Sequence, residues 1–236
     1  MEGGAAARHP LIVDNREKWS HRAINLRESR LRKALRLITE EPPGRLLDLG
    51  CGAGEFSARL AALGWRVCGL ELVEAQAARA RTLGLLAVAG EVSGGLPFRA
   101  EAFDLVFAGE LIEHLIDTDG FLAEIRRLLR PGGVLVLTTP NLASLENRLR
   151  LLLGRYPNWV DYRLGSSGHV RAYTPRVLRA QLAGHGFRVE RHAGNWIPLI
   201  PQRFADDVKY PWLQVTGNWW PSLAMAIILK CRKVSP

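Results

Sequence analysis

The sequence predicts an α/β fold built from parallel βαβ units, and three observations carry that expectation. Short apolar runs alternate with helix-period stretches through residues 45–141. Glycines stand where the helices between those runs should stop, at Gly64 and Gly84. The length of 236 residues suits one core domain with room for a cap. Strands that alternate with helices at this spacing join in parallel, through crossovers that are nearly always right-handed.

In chain order, Arg16–Thr39 reads as a basic amphipathic helix, with Trp19, Ala23, Leu26, Leu31, Leu35 and Ile38 toward one side. Glu41-Pro42-Pro43-Gly44 ends it, because proline cannot continue a helix and disfavours helical backbone in the residue before it. Leu46-Leu47-Asp48-Leu49 is a buried strand that feeds a glycine loop. Glu55–Leu63 follows as a helix, Arg66–Leu70 as a strand and Glu74–Leu83 as a helix. Leu85–Ala89, Phe103–Ala108 and Val134–Thr139 read as strands three to five, with a helix at Asp119–Leu129 between the last two. Beyond Pro140 the pattern changes. Asn141–Leu153 is helix-compatible, and Tyr156–Gly168 is an aromatic, glycine-bearing loop. Thr174 should cap a helix that has Pro175 at its first position. Phe187–His192 and Ala224–Arg232 read as strands, while Trp196–Pro221 is rich in tryptophan and proline without clear periodicity. The expected organisation is a single domain over 1–236: a basic helical segment at 1–44, a core at 45–141, cap elements at 142–221, and a terminal strand and tail at 222–236.

Composition excludes several classes. At 47% hydrophobic and 23% charged residues, the chain is neither disordered nor membrane-spanning in character. A domain of this size buries roughly 70–75% of its extended surface, so no disulfide or structural metal is needed. The strongly apolar stretch Leu223–Leu229 falls far short of the ~20 residues that span a bilayer. The first ten residues hold no continuous apolar run of the secretory type. Cys51, Cys68 and Cys231 show no C-x-x-C spacing, which suits a reducing, cytoplasmic compartment. The net charge of +9 is uneven: residues 45–141 carry 9 Lys+Arg against 12 Asp+Glu, whereas residues 142–191 carry 9 against 3. Basic flanks of this kind either steer an anionic substrate, nucleic acid or membrane surface, or form a solvated arginine-rich face.

The informative motif is Asp48-Leu49-Gly50-Cys51-Gly52-Ala53-Gly54. Glycines at 50, 52 and 54 let the backbone turn tightly against a ligand, and a helix with unpaired N–H groups begins directly after them. A dinucleotide fingerprint requires glycine or alanine three residues after Gly52, where this chain has Glu55. An acid in the first helical turn repels a pyrophosphate, so the loop suits a nucleoside ligand without phosphate. Glu71 stands at the end of the second strand, about 20 residues on, where a carboxylate accepts from both ribose hydroxyls. Glu91-Val92 follows the third strand and can meet an adenine edge. Acids at strand ends also cap or solvate, but three at successive ends of one sheet favour a ligand crevice.

The fourth strand leads into Glu110-Leu111-Ile112-Glu113-His114. If a helix starts near Gly109, residues 110, 113 and 114 share one face. His114 is then a candidate general base for a substrate hydroxyl. Alternatively Glu110, Glu113 and His114 ligate a divalent cation together with His169, or the cluster is scaffold. Tyr156, Trp159, Tyr162 and Tyr173 fall near Arg155, Arg163 and Arg171, and Trp196, Phe204, Tyr210, Trp212, Trp219 and Trp220 populate the later segment. These aromatics either stack on an acceptor or pack as a hydrophobic cap.

Residues 45–141 resemble the cofactor-binding core of class I S-adenosylmethionine-dependent methyltransferases. The resemblance runs in order through LLDLGCGAGEFSARL, VCGLEL, GEVSGGLPF, FDLVFAGELIEHL and LLRPGGVLVLTTPN, and GHVRAYTPRVLRAQLAGHGF extends it to about residue 192. It implies a Rossmann-like, doubly wound α/β sheet of seven strands whose last strand inserts antiparallel. It implies S-adenosyl-L-methionine as cofactor, with Gly50, Cys51, Gly52 and Gly54 around its methionine half and Asp48 toward the amino group. Glu71 and Leu72 would meet the ribose, Glu91 and Val92 the adenine, and Gly109 would line the site. Glutamate at position 71 departs from the commoner aspartate and lengthens the arm. The acid–histidine spacing resembles metal-dependent ubiquinone-pathway O-methyltransferases and small-RNA 2′-O-methyltransferases. The leading expectation is O-methylation of a small-molecule, sugar or lipid-linked acceptor, with no transmembrane segment and peripheral membrane contact compatible. The alternatives are an RNA methyltransferase or a non-catalytic cofactor-binding module.

Overall fold

The computed structural model describes residues 24–93, 95–162, 168–199 and 209–234. Trp19, Ala23, Arg163 and Phe204, and residues 16–23 of the expected N-terminal helix, lie outside the described residues; of the rest of that helix, residues 24–28 form a turn, and the helix begins only at Ser29.

Helix α1 is Ser29–Thr39. Strand β1 (Arg45–Leu49), helix α2 (Glu55–Ala61), strand β2 (Arg66–Glu71), helix α3 (Glu74–Thr82) and strand β3 (Leu86–Ala89) follow in alternation. Then come β4 (Phe103–Gly109), a 3₁₀ turn (Ile112–His114), α4 (Thr118–Leu128), β5 (Leu129–Pro140), α5 (Leu145–Leu152) and α6 (Pro175–Gly184). The chain continues through β6 (Phe187–Gly194), α7 (Leu213–Trp219), a second 3₁₀ turn (Pro221–Leu223) and β7 (Ala226–Lys233). The seven strands form one sheet in the order β3-β2-β1-β4-β5-β7-β6. β1 through β5 are parallel to one another, and β7 pairs antiparallel with both β5 and β6, as the resemblance implies.

Both faces of the central strands β1, β4, β5 and β7 are covered, which is why these strands read as nearly continuous apolar runs. Successive strand side chains point to opposite faces. Leu46, Leu105, Phe107, Val134, Val136 and Ile228 accordingly meet Leu31, Leu37 and Ile38 of α1 and Phe56 and Leu60 of α2. Leu47, Leu49, Val106, Leu135, Leu137 and Leu229 meet Phe121, Leu122 and Ile125 of α4 and Leu178 and Leu182 of α6 on the other face. Burying each such side chain contributes roughly 1.5–3 kcal/mol. The three α1 anchors at 31, 37 and 38 therefore bind that helix to the sheet without a side-chain N-cap.

Three expectations need correction. No α-helix starts near Gly109: the backbone there makes a single 3₁₀ turn, and Glu110 sits before it at φ +52°, in left-handed conformation. β5 begins at Leu129 rather than Val134, because Phe103 pairs with Leu129 ahead of a register shift that absorbs Pro131-Gly132-Gly133. The Trp/Pro segment, read as aperiodic, contains helix α7. Its Leu213 packs with Trp196 and Met225 in a small separate core.

Candidate functional site

The chain runs outward from β1 to β3 and then returns to β4 beside β1. Such a reversal of strand order opens a crevice at the carboxyl ends of the strands. The glycine loop begins there. Gly50, Gly52 and Gly54 have φ of +75°, +56° and +88°, a region that L side chains rarely adopt. At Gly54 a Cβ would lie 2.7 Å from Leu85 and 2.8 Å from Ala80, so the loop needs glycine there for space as well.

Glu71 braces this loop from the end of β2. Its Oε2 accepts from the Gly52 N–H and its Oε1 from the Val73 N–H, both at 2.9 Å. A carboxylate offers about four lone-pair positions, so two acceptor positions remain for a diol. Asp48 is 2% exposed at the base of the loop, and its Oδ2 accepts from the Ser57 hydroxyl at 2.5 Å. Burial, reinforced by the nearby Glu71 charge, pushes its carboxyl up to about 7. Cys51 is buried, its thiol pushed far up by burial and by the Asp48 and Glu71 charges, so it is no nucleophile. Leu72 is half-buried between the Glu71 and Val73 contacts. Glu91 is exposed beyond β3, where the Ser93 hydroxyl donates to its Oε1, and Val92 is half-buried beside it. Gly109 closes β4 with the Phe107 ring 2.7 Å from where its Cβ would stand.

The acid–histidine cluster divides. Glu110 accepts from the Thr138 hydroxyl at 3.1 Å and pairs with Arg30 of α1 at 3.8 Å, while Arg30 also donates to Thr138 Oγ1 at 3.2 Å. Its side chain is therefore engaged with β5 and α1, and its left-handed backbone costs about 1–3 kcal/mol. Glu113 is 1% exposed. Its Oε2 accepts from the Thr139 hydroxyl at 2.9 Å, and its Oε1 is buried with no partner among the described residues. Burial and the Glu110 charge hold its carboxyl well above the usual range. The Glu113 carbonyl accepts from the Val170 and Arg171 N–H groups, which draws the loop bearing His169 over the turn.

Both imidazoles are oriented by backbone carbonyls. His114 Nδ1 lies 3.0 Å from the Gly168 oxygen, and His169 Nδ1 lies 2.9 Å from the Trp159 oxygen. A carbonyl only accepts, so in the neutral rings each Nδ1 carries the hydrogen. The rings stand edge-on with centroids 4.8 Å apart. Glu113, His114 and His169 each offer a ligand atom within 4.8 Å of the others. That triad brings together three of the four residues singled out in the sequence and leaves out Glu110, because no helical face joins it to the rest. The sequence reading missed Arg30, Ser57, Thr138 and Thr139. The TTP end of β5 was the available signal for the two threonines; Arg30 and Ser57 had none.

The aromatics also divide. Trp196 is 3% exposed inside the small core, whereas Tyr156, Trp159, Tyr162, Trp212, Trp219 and Trp220 are all exposed.

Among the described residues, no helix is long and apolar enough to cross a membrane. Residues 19–192 match the family model described as a methyltransferase domain. The ubiquinone biosynthesis O-methyltransferase of Sinorhizobium fredii is 35% identical over 176 residues, covering 67% of this chain and 66% of that protein. The protein of the same name from Caulobacter sp. is 34% identical over 179 residues, covering 70% and 69%. The chain thus spans about two thirds of the length of these relatives. Among solved structures, an S-adenosylmethionine-dependent methyltransferase from Thermotoga maritima superposes with a TM-score of 0.66 at 20% identity, over 94% of this chain and 96% of that one. The 1,6-didemethyltoxoflavin-N1-methyltransferase of Burkholderia thailandensis, solved with bound S-adenosylhomocysteine, gives a TM-score of 0.63 at 18% identity, over 100% and 94%. Motif order, sheet topology and the family match agree: the chain belongs to the class I S-adenosylmethionine-dependent methyltransferases.

Proposed function

We propose that the protein methylates a hydroxyl oxygen of a small organic acceptor in the reducing cytoplasm. The observation that carries this reading is the position of His114 on the turn after β4, at the carboxyl end of the sheet, with its ring oriented through Nδ1 by the Gly168 carbonyl. The names of the curated relatives support oxygen as the methylated atom.

The residues fit the cofactor chemically. Asp48 offers a carboxylate to an ammonium, Glu71 has acceptor capacity left for ribose hydroxyls, and Gly50, Cys51, Gly52 and Gly54 leave room for close backbone approach. Leu72, Val92 and Gly109 supply walls, and Glu91 an acceptor for the adenine amino group. When bound, S-adenosylmethionine supplies a methyl group on a sulfonium sulfur, already activated for displacement. The chain's own contribution is positioning and proton removal. The His114 imidazole would accept the proton of the acceptor hydroxyl, so that the oxygen reaches the methyl group as a better nucleophile.

A second reading has its own observation. Glu113 Oε1 has no partner among the described residues, and Glu113, His114 and His169 offer ligand atoms within 4.8 Å of one another, a donor set that suits Mg²⁺, Mn²⁺ or Zn²⁺, with each ring held at Nδ1 by a carbonyl. A cation held there by Glu113, His114 and His169 would act as a Lewis acid toward the acceptor hydroxyl.

One experiment separates the two. His114→Ala should lower turnover by ~10²–10⁴-fold with cofactor affinity unchanged, the range for a general base. EDTA should then have little effect on the wild type. Inhibition by EDTA with rescue by Mg²⁺ or Mn²⁺ selects the cation, and full turnover in the variant rejects both readings.

A further inference from the structure

A cavity of about 550 Å³ opens between the start of α6, the flank of α5 and the end of β6. Arg148, Arg176 and Arg179 line it together with His192, Thr174 and Ser222, and no described lining residue carries a carboxylate. The Arg148 Nε donates to the Ala143 carbonyl at 2.7 Å, which fixes that guanidinium at the rim. His192 Nε2 is buried and has no hydrogen-bond partner among the described residues. Thr174 caps the ten-residue helix α6, so the positive end of its dipole also faces this region.

We propose that this cavity binds a phosphate or diphosphate group. Three like charges gathered around one concavity without a described acid repel each other, and an oxyanion relieves that repulsion. Guanidinium forks match phosphate oxygens bidentately. A carboxylate carries one charge against three arginines, whereas a phosphate dianion or a diphosphate matches the surplus more closely. Burial, with the Arg179 charge beside it, pushes His192 down to about 4, so its imidazole is neutral in the unliganded cavity. A bound oxyanion offsets the Arg179 charge and so favours the protonated imidazole. The cavity is also close to the acid–histidine turn. Thr174 follows His169 by five residues, a span of at most about 18 Å even in extended chain. A ligand phosphate here is thus within reach of a molecule whose other end lies beside His114.

A phosphorylated soluble compound and a phospholipid headgroup share this chemistry. The test titrates the full chain with inorganic pyrophosphate while following the His192 ring by NMR, with His192→Gln used for assignment. Saturable shifts of His192 and a rise in its titration midpoint are expected. The double variant Arg176→Ala/Arg179→Ala should weaken binding by about tenfold or more, with the melting temperature and S-adenosylhomocysteine affinity unchanged. No saturable shift, or equal affinity in the double variant, overturns the proposal. Co-sedimentation with phosphatidylglycerol vesicles identifies the source. If vesicle binding is lost in the double variant and competed by pyrophosphate, the site takes a headgroup. If it is indifferent to both, the site takes a soluble phosphate. The readout is binding, so it stands or falls separately from methyl transfer.

Discussion

Replacing Asp48 with asparagine should make the unliganded protein more stable at neutral pH while weakening its grip on the cofactor. The side chain is 2% exposed and its carboxyl is pushed up to about 7, chiefly by burial and further by the Glu71 charge. An acid whose folded value lies above its unfolded value binds more protons in the native state. Its unfavourable contribution is therefore absent below the ordinary value near pH 4, grows as pH rises to about 7, and stays constant above that. About three pH units at ~1.4 kcal/mol each give a ceiling of about 4 kcal/mol at pH 7–8. Asparagine keeps an acceptor for the Ser57 hydroxyl and removes the charge. Glu190 beside Arg232 and Glu124 beside Arg127 are held below the ordinary carboxylate range and act with opposite sign. They act in both proteins, so the difference between wild type and variant isolates Asp48. Urea unfolding at half-unit steps from pH 4 to pH 8 measures that difference. It should be near zero at pH 4 and rise to a plateau above pH 7. Calorimetry should show wild-type affinity for S-adenosylhomocysteine rising with pH over the same window, because an ammonium favours the ionised carboxylate, and the variant losing that dependence. A stability difference independent of pH would refute the reasoning.

Two more perturbations are as specific. Glu71→Ala should weaken S-adenosylhomocysteine binding by ~1.5–3 kcal/mol, the scale for a hydrogen bond to a charged group. Because Gly52 and Val73 also lose an acceptor, amide exchange in the glycine loop should quicken; equal affinity in calorimetry would show that the ribose is held elsewhere. Lys33→Met should destabilise the fold by roughly 3 kcal/mol, since its buried ammonium donates to the carbonyls of Gly194, Asn195 and Gln214 at 2.5, 2.8 and 2.6 Å and each buried unmet acceptor costs ~1–3 kcal/mol. Unchanged urea stability would mean that water replaces the ammonium.

The parallel half of the sheet was legible because its central strands β1 and β4 are buried on both faces and its strands read as short apolar runs bounded by glycine. The loop at Gly50, Gly52 and Gly54 was legible for a related reason: left-handed backbone restricts residue choice enough to leave a spelling. The acid–histidine cluster was read with the right residues and the wrong backbone. An i, i+3, i+4 spacing permits a helix, but Glu110 is drawn out of it by the Thr138 carbonyl and by Arg30, partners 28 and 80 residues away. Helix α7 was missed because what holds it is tertiary: Leu213 against Trp196 and Met225, and Gln214 offering its carbonyl to Lys33. Neither contact leaves a periodic signal.

The insertion of β7 between β5 and β6 sets an order on folding. β6 is made first, yet in the finished sheet it touches only β7, so it has no edge to join until Ala226–Lys233 has emerged and paired with β5. During synthesis the β1–β5 portion can assemble while α6 and β6 wait beside it, an interval in which an unpaired strand edge invites association with other chains. Losing the final eleven residues would therefore cost more than one strand. It would leave β6 stranded and open the β5 edge that carries Thr138 and Thr139, so damage at the far end of the chain would be felt at Glu110 and Glu113.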